Sequence, residues 1–243
     1  MKLTILIPVY NEERTIGKVL EEVISVPLSC QKEIIIIDDG STDGTRQQIT
    51  LRLGSGQTKN KKQNKLILIS HKKNLGKGAA IRSGIAKATG DYILIQDADF
   101  EYKPQEIPTL LNVLLERKGL IAIYGSRFTK KDTIIPLTYK LGNLFLTWMT
   151  NILFKTNLSD METGYKLLPT SFLKKNTPLA NRFDMEPEIT ARLIRQKIPI
   201  VEVPISYEGR SHLSGKKLTA GDAIDAVKTL FRWKFFPAYR QRL

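Results

Sequence analysis

Glu33-Ile34-Ile35-Ile36-Ile37-Asp38, running into Asp39-Gly40-Ser41-Thr42-Asp43-Gly44-Thr45, is the stretch that decides the fold. Four consecutive isoleucines leave the strand apolar on both faces, the condition of a parallel strand buried between layers. The following turn is polar. Gly40 permits a tight reversal, and Ser41 is a candidate cap for a helix through Ile49 and Leu53. Upstream, residues 3–9 (LTILIPV) read as a strand. Residues 12–25 carry Ile16, Val19, Leu20, Val23 and Ile24 at helical spacing, with Asn11 able to cap. Downstream come strand 66–70, helix 76–89 ended by Gly90, strand 91–96, helix 104–117 with Pro104 in its first turn, and strand 120–125. This alternation predicts an α/β fold: a doubly wound, mostly parallel sheet with right-handed crossovers. Ligands collect at the carboxyl ends of such strands.

Residues 54–65 (GSGQTKNKKQNK) read as a polar surface loop. The second half is less regular. It offers an apolar-rich helix at 138–154, a helix at 184–196 with Pro187 in its first turn, and an extended segment at 199–206. A last helix, 219–234, buries Ile224, Val227, Leu230 and Phe231 and ends in FRWKFFPAYRQR. The expected organisation is one domain over 1–218 and a basic-aromatic amphipathic helix and tail over 219–243.

The chain has 243 residues and a formal net charge of +14. That excess attracts polyanions: nucleic acid, anionic headgroups or diphosphates. Nucleic acid is the weaker reading, because neither a helix-turn-helix nor an RRM signature is present. One cysteine, Cys30, excludes an intrachain disulfide and fits a reducing compartment. With only His71 and His212 beside it, a zinc site is disfavoured, and any metal should be a hard cation on carboxylates. No apolar run approaches the ~20 residues of a spanning helix.

Four turns carry the chemistry. Gln96-Asp97-Ala98-Asp99-Phe100-Glu101 sets two carboxylates around one alanine at the end of a buried strand, with a third acid two residues on. Like charges so close repel, and Mg²⁺ or Mn²⁺ relieves that repulsion while leaving positions for diphosphate oxygens. Asp38 and Asp39 can accept hydrogen bonds from a ribose or base. Tyr10 offers a stacking face and Glu12 an acceptor. Asn74-Leu75-Gly76-Lys77-Gly78 has the physics of a phosphate cradle without the Walker A spacing. All four fall on one rim of the expected sheet.

IPVYNE, DDGSTDGT, NLGKGAA, QDAD and GSR, in this order and at these intervals, resemble a family 2 inverting glycosyltransferase of the GT-A fold, which implies a Rossmann-like nucleotide-binding half and a C-terminal acceptor-side extension. DMETGYK (160–166), FDMEPEIT (183–190) and EVPISYEGRSHLSGKK (202–217) are similar to the branch of dolichyl-phosphate mannose synthase and related polyprenyl-phosphate sugar transferases. The resemblance implies that Pro8, Tyr10, Glu12, Ile37 and Asp39 hold the nucleoside. It implies that Asp97, Ala98 and Asp99 hold metal and diphosphate, with Glu101, where relatives often carry Gln, as a further ligand. Lys77, Arg127, Arg210 and Lys216 would meet phosphates. Asp160 and Glu162 would be polar groups of the sugar pocket.

The implied reaction moves a hexose, of the GDP-mannose or UDP-glucose type, to a polyprenyl or dolichyl phosphate. A phosphate acceptor needs no base. A saccharide hydroxyl acceptor needs one, for which Asp160 or Glu162 is the candidate. A silent nucleotide-sugar binding scaffold is disfavoured by the intact carboxylate pair. The basic-aromatic end and helix 138–154 suggest a protein peripheral at the cytoplasmic membrane face, with a membrane subunit as a candidate companion.

Overall fold

The isoleucine run lies between two parallel neighbours in a seven-stranded sheet. The computed structural model describes residues 1–54, 64–130, 133–209 and 220–236. In chain order the strands are β1 (Lys2–Val9), β2 (Gln31–Asp38), β3 (Asn64–Ser70), β4 (Tyr92–Ile95), β5 (Ala122–Ser126), β6 (Thr133–Ile134), β7 (Lys166–Pro169), β8 (Ile200–Pro204) and β9 (Tyr207–Glu208). The helices are α1 (Ile16–Ser25), α2 (Thr45–Gly54), α3 (Lys77–Lys87), α4 (Ile107–Leu115), α5 (Leu137–Phe154), α6 (Thr170–Lys175), α7 (Met185–Arg195) and α8 (Ala220–Phe235). The main sheet has the order β3-β2-β1-β4-β7-β5-β8, and β6 pairs with β9 apart from it. All main-sheet pairs are parallel except those of β7, which lies antiparallel between β4 and β5.

The isoleucines explain the layering. Ile34 and Ile36 join the core with α1, α2 and α4, whereas Ile35 and Ile37 join the opposite core with α3, α6 and α7. Each buried side chain contributes about 2–3 kcal/mol. Lys32, on the same strand, closes the end of α1, its Nζ donating to the carbonyls of Val23 (2.7 Å), Ile24 (3.0 Å) and Val26 (2.9 Å). Below, Glu33 is fully buried and accepts from the Thr4 hydroxyl (2.8 Å) and the Thr89 backbone N–H (2.8 Å).

Two expected caps are corrected. α1 starts at Ile16, too late for Asn11, and α2 starts at Thr45, too late for Ser41. The register sets Val9 opposite Asp38, so the turns after β1 and β2 leave side by side and bond to each other. Asn11, at φ +50°, accepts the Thr42 N–H (2.8 Å), and the Ser41 hydroxyl accepts the Asn11 N–H (3.0 Å). Asp43 takes the capping role at α2, accepting from Thr45 N–H at 3.0 Å.

α5 packs on α8 and α7 rather than on the sheet, burying Leu146, Thr147 and Thr150. Most of loop 54–65, residues 210–219 and the tail from 237 fall outside the described residues.

Candidate active site

All four expected turns reach one cavity. Pro8, Tyr10 and Glu12 enter from the end of β1, Asp39 from β2, and Asn74, Gly76 and Lys77 from the start of α3. Asp97, Ala98, Asp99 and Glu101 enter after β4. The opposite wall is made by Arg127 after β5, Tyr139 and Asn143 on α5, Glu162, Arg182, Glu186 and Tyr207.

The electrostatics are dominated by paired charges. The Lys77 ammonium lies 2.7 Å from Asp97 Oδ1 and 3.7 Å from Glu186 Oε1. Burial opposes its charge, but the two carboxylates outweigh burial and hold its pKa above that of an ordinary lysine. Glu186 Oε2 meets the fully buried Lys166 ammonium at 2.5 Å. Asp39 accepts from the backbone N–H groups of Leu75 (3.0 Å) and Gly76 (2.7 Å), and it contacts His71 Nδ1 at 2.7 Å. Its carboxylate is thus a fixed acceptor in the cavity wall.

Several expectations need correction. Ile37 does not reach the cavity, because its side chain is buried between β2 and α3. Asp160 is fully buried, and both its oxygens are engaged by Arg127: Oδ2 by Nε (2.7 Å) and backbone N–H (3.0 Å), Oδ1 by Nη2 (2.7 Å). It cannot meet a substrate proton there; it fixes the guanidinium that does line the cavity. Its near neighbour Glu162 lines the cavity instead. Burial, offset by Lys166 and reinforced by Glu186, raises the Glu162 pKa to about 7.

Glu101 lines the cavity too, and its Oε2 accepts from the Tyr207 hydroxyl at 2.5 Å. Among the described residues no three His, Cys, Asp or Glu side chains gather as a metal cluster. Asp97 and Asp99 remain as an all-oxygen pair. That donor set suits a hard divalent ion that completes its shell with phosphate oxygens and water.

The glycine-lysine turn is also corrected. A Cβ on Gly76 would lie 2.3 Å from the Asn181 carbonyl oxygen, and one on Gly78 would lie 2.3 Å from that of Ala180. The Asn181 carbonyl accepts the Ala79 N–H (3.2 Å). The two glycines therefore admit the 178–183 loop, and that loop covers the backbone expected to cradle phosphate. Lys77 alone of the turn keeps a charge in the cavity wall. Arg210 and Lys216 lie outside the described residues.

Residues not expected include Arg182, Tyr102, Tyr139, Asn143 and Tyr207. Tyr102 stacks on Tyr165 with centroids 5.2 Å apart, meets Tyr207 edge-on at 5.0 Å, and accepts the Gly164 N–H at its hydroxyl (2.8 Å). These rings come from three separate segments, so no local pattern announces them. Glu186 did leave a signal: two glutamates flank Pro187 at the start of a helix that is otherwise buried, and buried acids need partners.

Known proteins share this architecture. The pattern described as Glycosyl transferase family 2 matches residues 4–175. Dolichyl-phosphate beta-glucosyltransferase of Saccharomyces cerevisiae is 31% identical over 248 residues, spanning 93% of this chain and 71% of that protein. Dodecaprenyl-phosphate galacturonate synthase of Rhizobium johnstonii is 25% identical over 244 residues, spanning 100% of this chain and 69% of that protein. Glucosyl-3-phosphoglycerate synthase of Mycobacterium tuberculosis, crystallised with Mn²⁺, UDP-glucose and phosphoglyceric acid, shares the fold at a TM-score of 0.71 and 17% identity, over 96% of this chain and 79% of that one. With the motifs, the strand order and the sequence match in agreement, this chain belongs to glycosyl transferase family 2 and is a glycosyltransferase of the GT-A fold.

Proposed function

We propose that the chain transfers a hexose from a nucleoside-diphosphate sugar to a polyprenyl phosphate at a membrane surface. The observation that carries this reading is the double use of α5. Tyr139 and Asn143 line the cavity, while Leu137, Leu141, Phe145, Trp148 and Ile152 are exposed. Spacings of four, four, three and four residues put these five on one helical face. A cavity lined by charged side chains beside an apolar row matches an amphiphile with a phosphate head and a hydrocarbon tail. Both relatives above are named for such acceptors, a dolichyl and a dodecaprenyl phosphate. No helix of the described residues is long and apolar enough to cross a membrane. Aromatics favour the headgroup boundary, and each nearby Lys or Arg adds about 1 kcal/mol at an anionic surface.

In this reading Tyr10, Glu12, Pro8 and Asp39 receive the nucleoside, and Asp97, Ala98 and Asp99 receive the diphosphate with Mg²⁺ or Mn²⁺. When bound, the ion supplies electrostatic stabilisation of the leaving diphosphate. An acceptor phosphate oxygen forms a bond to the anomeric carbon as the bond to the donor diphosphate breaks. The electron pair leaves with the nucleoside diphosphate, and configuration inverts. The acceptor is already ionised, so no base is required. Arg127, locked by Asp160, orients it. The test is a screen of UDP-glucose and GDP-mannose against polyprenyl phosphate with Mn²⁺ or Mg²⁺, read as nucleoside diphosphate release and labelled lipid. Donor turnover that never labels the lipid would remove the acceptor assignment.

One observation favours a second reading, a saccharide hydroxyl as acceptor. Glu162 Oε1 is buried with no hydrogen-bond partner among the described residues, and its pKa of about 7 suits a general base. Glu162→Gln should then lower turnover by about 10²–10⁴-fold and abolish a rise in rate through pH 7. With a phosphate acceptor it should leave turnover within a few-fold.

A further inference from the structure

Arg182 is a cation of the cavity wall that the chemistry above leaves unused. We propose that Arg182 binds the donor's diphosphate and that Asp222, on α8, positions it for that task. The inference rests on the glycosyltransferase reading of the cavity.

The backbone beneath Arg182 is held from both sides. Arg82 Nη1 donates to the carbonyls of Pro178 (3.1 Å), Leu179 (3.1 Å) and Ala180 (2.8 Å). Glu188 Oε2 accepts the N–H groups of Leu179 (3.0 Å) and Ala180 (2.8 Å). The largely exposed side chain then reaches the cavity wall beside Gly76. A Cβ on Gly76 would lie 3.3 Å from Arg182 Cγ, and the Gly76 N–H is the one bonded to Asp39. Arg182 is therefore beside the turn that meets the nucleoside.

On its other side, Arg182 Nε donates to Asp222 Oδ1 at 3.0 Å. Asp222 is buried in the first turn of α8. Among the described residues this is the sole hydrogen bond of the guanidinium, so Nη1 and Nη2 keep their donors. A guanidinium held at Nε with the Nη pair open matches two phosphate oxygens.

Charge balance points the same way. The described lining holds seven carboxylates and three cations. Lys77 sits between Asp97 and Glu186, and Arg127 is paired with Asp160. A diphosphate entering this acidic cavity needs, besides a divalent ion, a cation whose donors are not already committed. Among the described residues, Arg182 is the lining cation with both Nη groups uncommitted.

The experiment is calorimetric titration of the full chain, with Mn²⁺ throughout, by whichever of UDP and GDP binds tighter, and by the matching nucleoside. Arg182→Gln should weaken the diphosphate about tenfold, or about 1.4 kcal/mol, and leave the nucleoside unchanged. Arg182→Lys should fall between, because an ammonium keeps the charge without the fork. Asp222→Asn should weaken the diphosphate by a smaller factor, and the double variant should lose little beyond Arg182→Gln alone. Unchanged diphosphate affinity in Arg182→Gln, or equal losses for nucleoside and diphosphate, overturns the assignment. Full affinity in Asp222→Asn overturns the positioning role. Wild-type chain that binds neither diphosphate overturns the donor reading itself, and this inference with it.

Discussion

On the β1–β4 side of the cavity the lining comes from the last residues of β1, the turns that follow β1, β2 and β4, and the start of α3, and the turns hold one another. Asn11 reaches Thr42, Ser41 reaches Asn11, and Asp39 holds the start of α3. On the β5–β8 side the lining comes from a helix face, a loop and a short strand, and full charges buried in pairs hold it. Arg127 is locked to Asp160, Lys166 to Glu186, and Arg192 to Glu188. The Glu202 carboxylate accepts the N–H groups of Ser159 and Asp160 at 2.8 and 2.9 Å. Apart from the Lys77–Asp97 pair, the first side is organised by backbone and small polar groups, the second by buried ion pairs that cannot lose one member cheaply. Removing one partner of a buried pair leaves an uncompensated charge.

That contrast can be broken by mutation. Asp160→Asn should destabilise the fold by about 3–5 kcal/mol in urea titration, because Arg127 is left buried without its counter-charge. A loss below about 1 kcal/mol would erase the distinction between the two sides. Asp97→Asn, on the other side, should cost about 10²–10³-fold in turnover, the scale of removing one electrostatic contact to the leaving group. Its urea midpoint should stay near wild type, since Lys77 retains Glu186.

Glu33→Gln tests a buried acid beneath the β1–β4 side, away from any ligand. Burial opposes ionisation of Glu33, but hydrogen bonds from Thr89, Thr4 and Lys2 outweigh it and bring its pKa to about 2. A lowered folded-state pKa contributes stability that is complete above the unfolded value near 4.5 and fades as pH falls toward 2. Wild type should therefore exceed the variant by about 2–3 kcal/mol at pH 7, with the gap closing between pH 4.5 and 2. A gap constant with pH would assign the effect to packing.

The smallest effect on stability should come from Trp148→Ser on the exposed face of α5, within about 0.5 kcal/mol. The same variant should lose co-sedimentation with anionic vesicles at low salt. Retained binding would remove α5 from the membrane-facing surface.

The same contrast explains what was legible in the sequence. The strand–helix rhythm and the four acidic and glycine turns are contiguous patterns, so the doubly wound sheet and its rim could be read directly. Arg182 and Tyr207 have no such pattern, because their positions depend on contacts with Asp222 and Glu101, 40 and 106 residues away. Asp160 was misread because an acid in a glycosyltransferase-like motif looks the same whether it faces a substrate or a buried arginine. The glycines at 76 and 78 were misread likewise: a need for closeness is visible in sequence, but the group that comes close is not.

The antiparallel β7 has a consequence for how the chain is made. β5 has no bond to β4; the two are joined only through β7, whose residues come some forty positions after β5. During synthesis from the N-terminus, β1 to β4 can pair as soon as they emerge, while β4 waits with an open edge. An unpaired edge invites association with other chains. The interval between emergence of Ile95 and Pro169 is thus the vulnerable stage of biogenesis. A nascent chain arrested within it should need a chaperone, and one released beyond Pro204 should not.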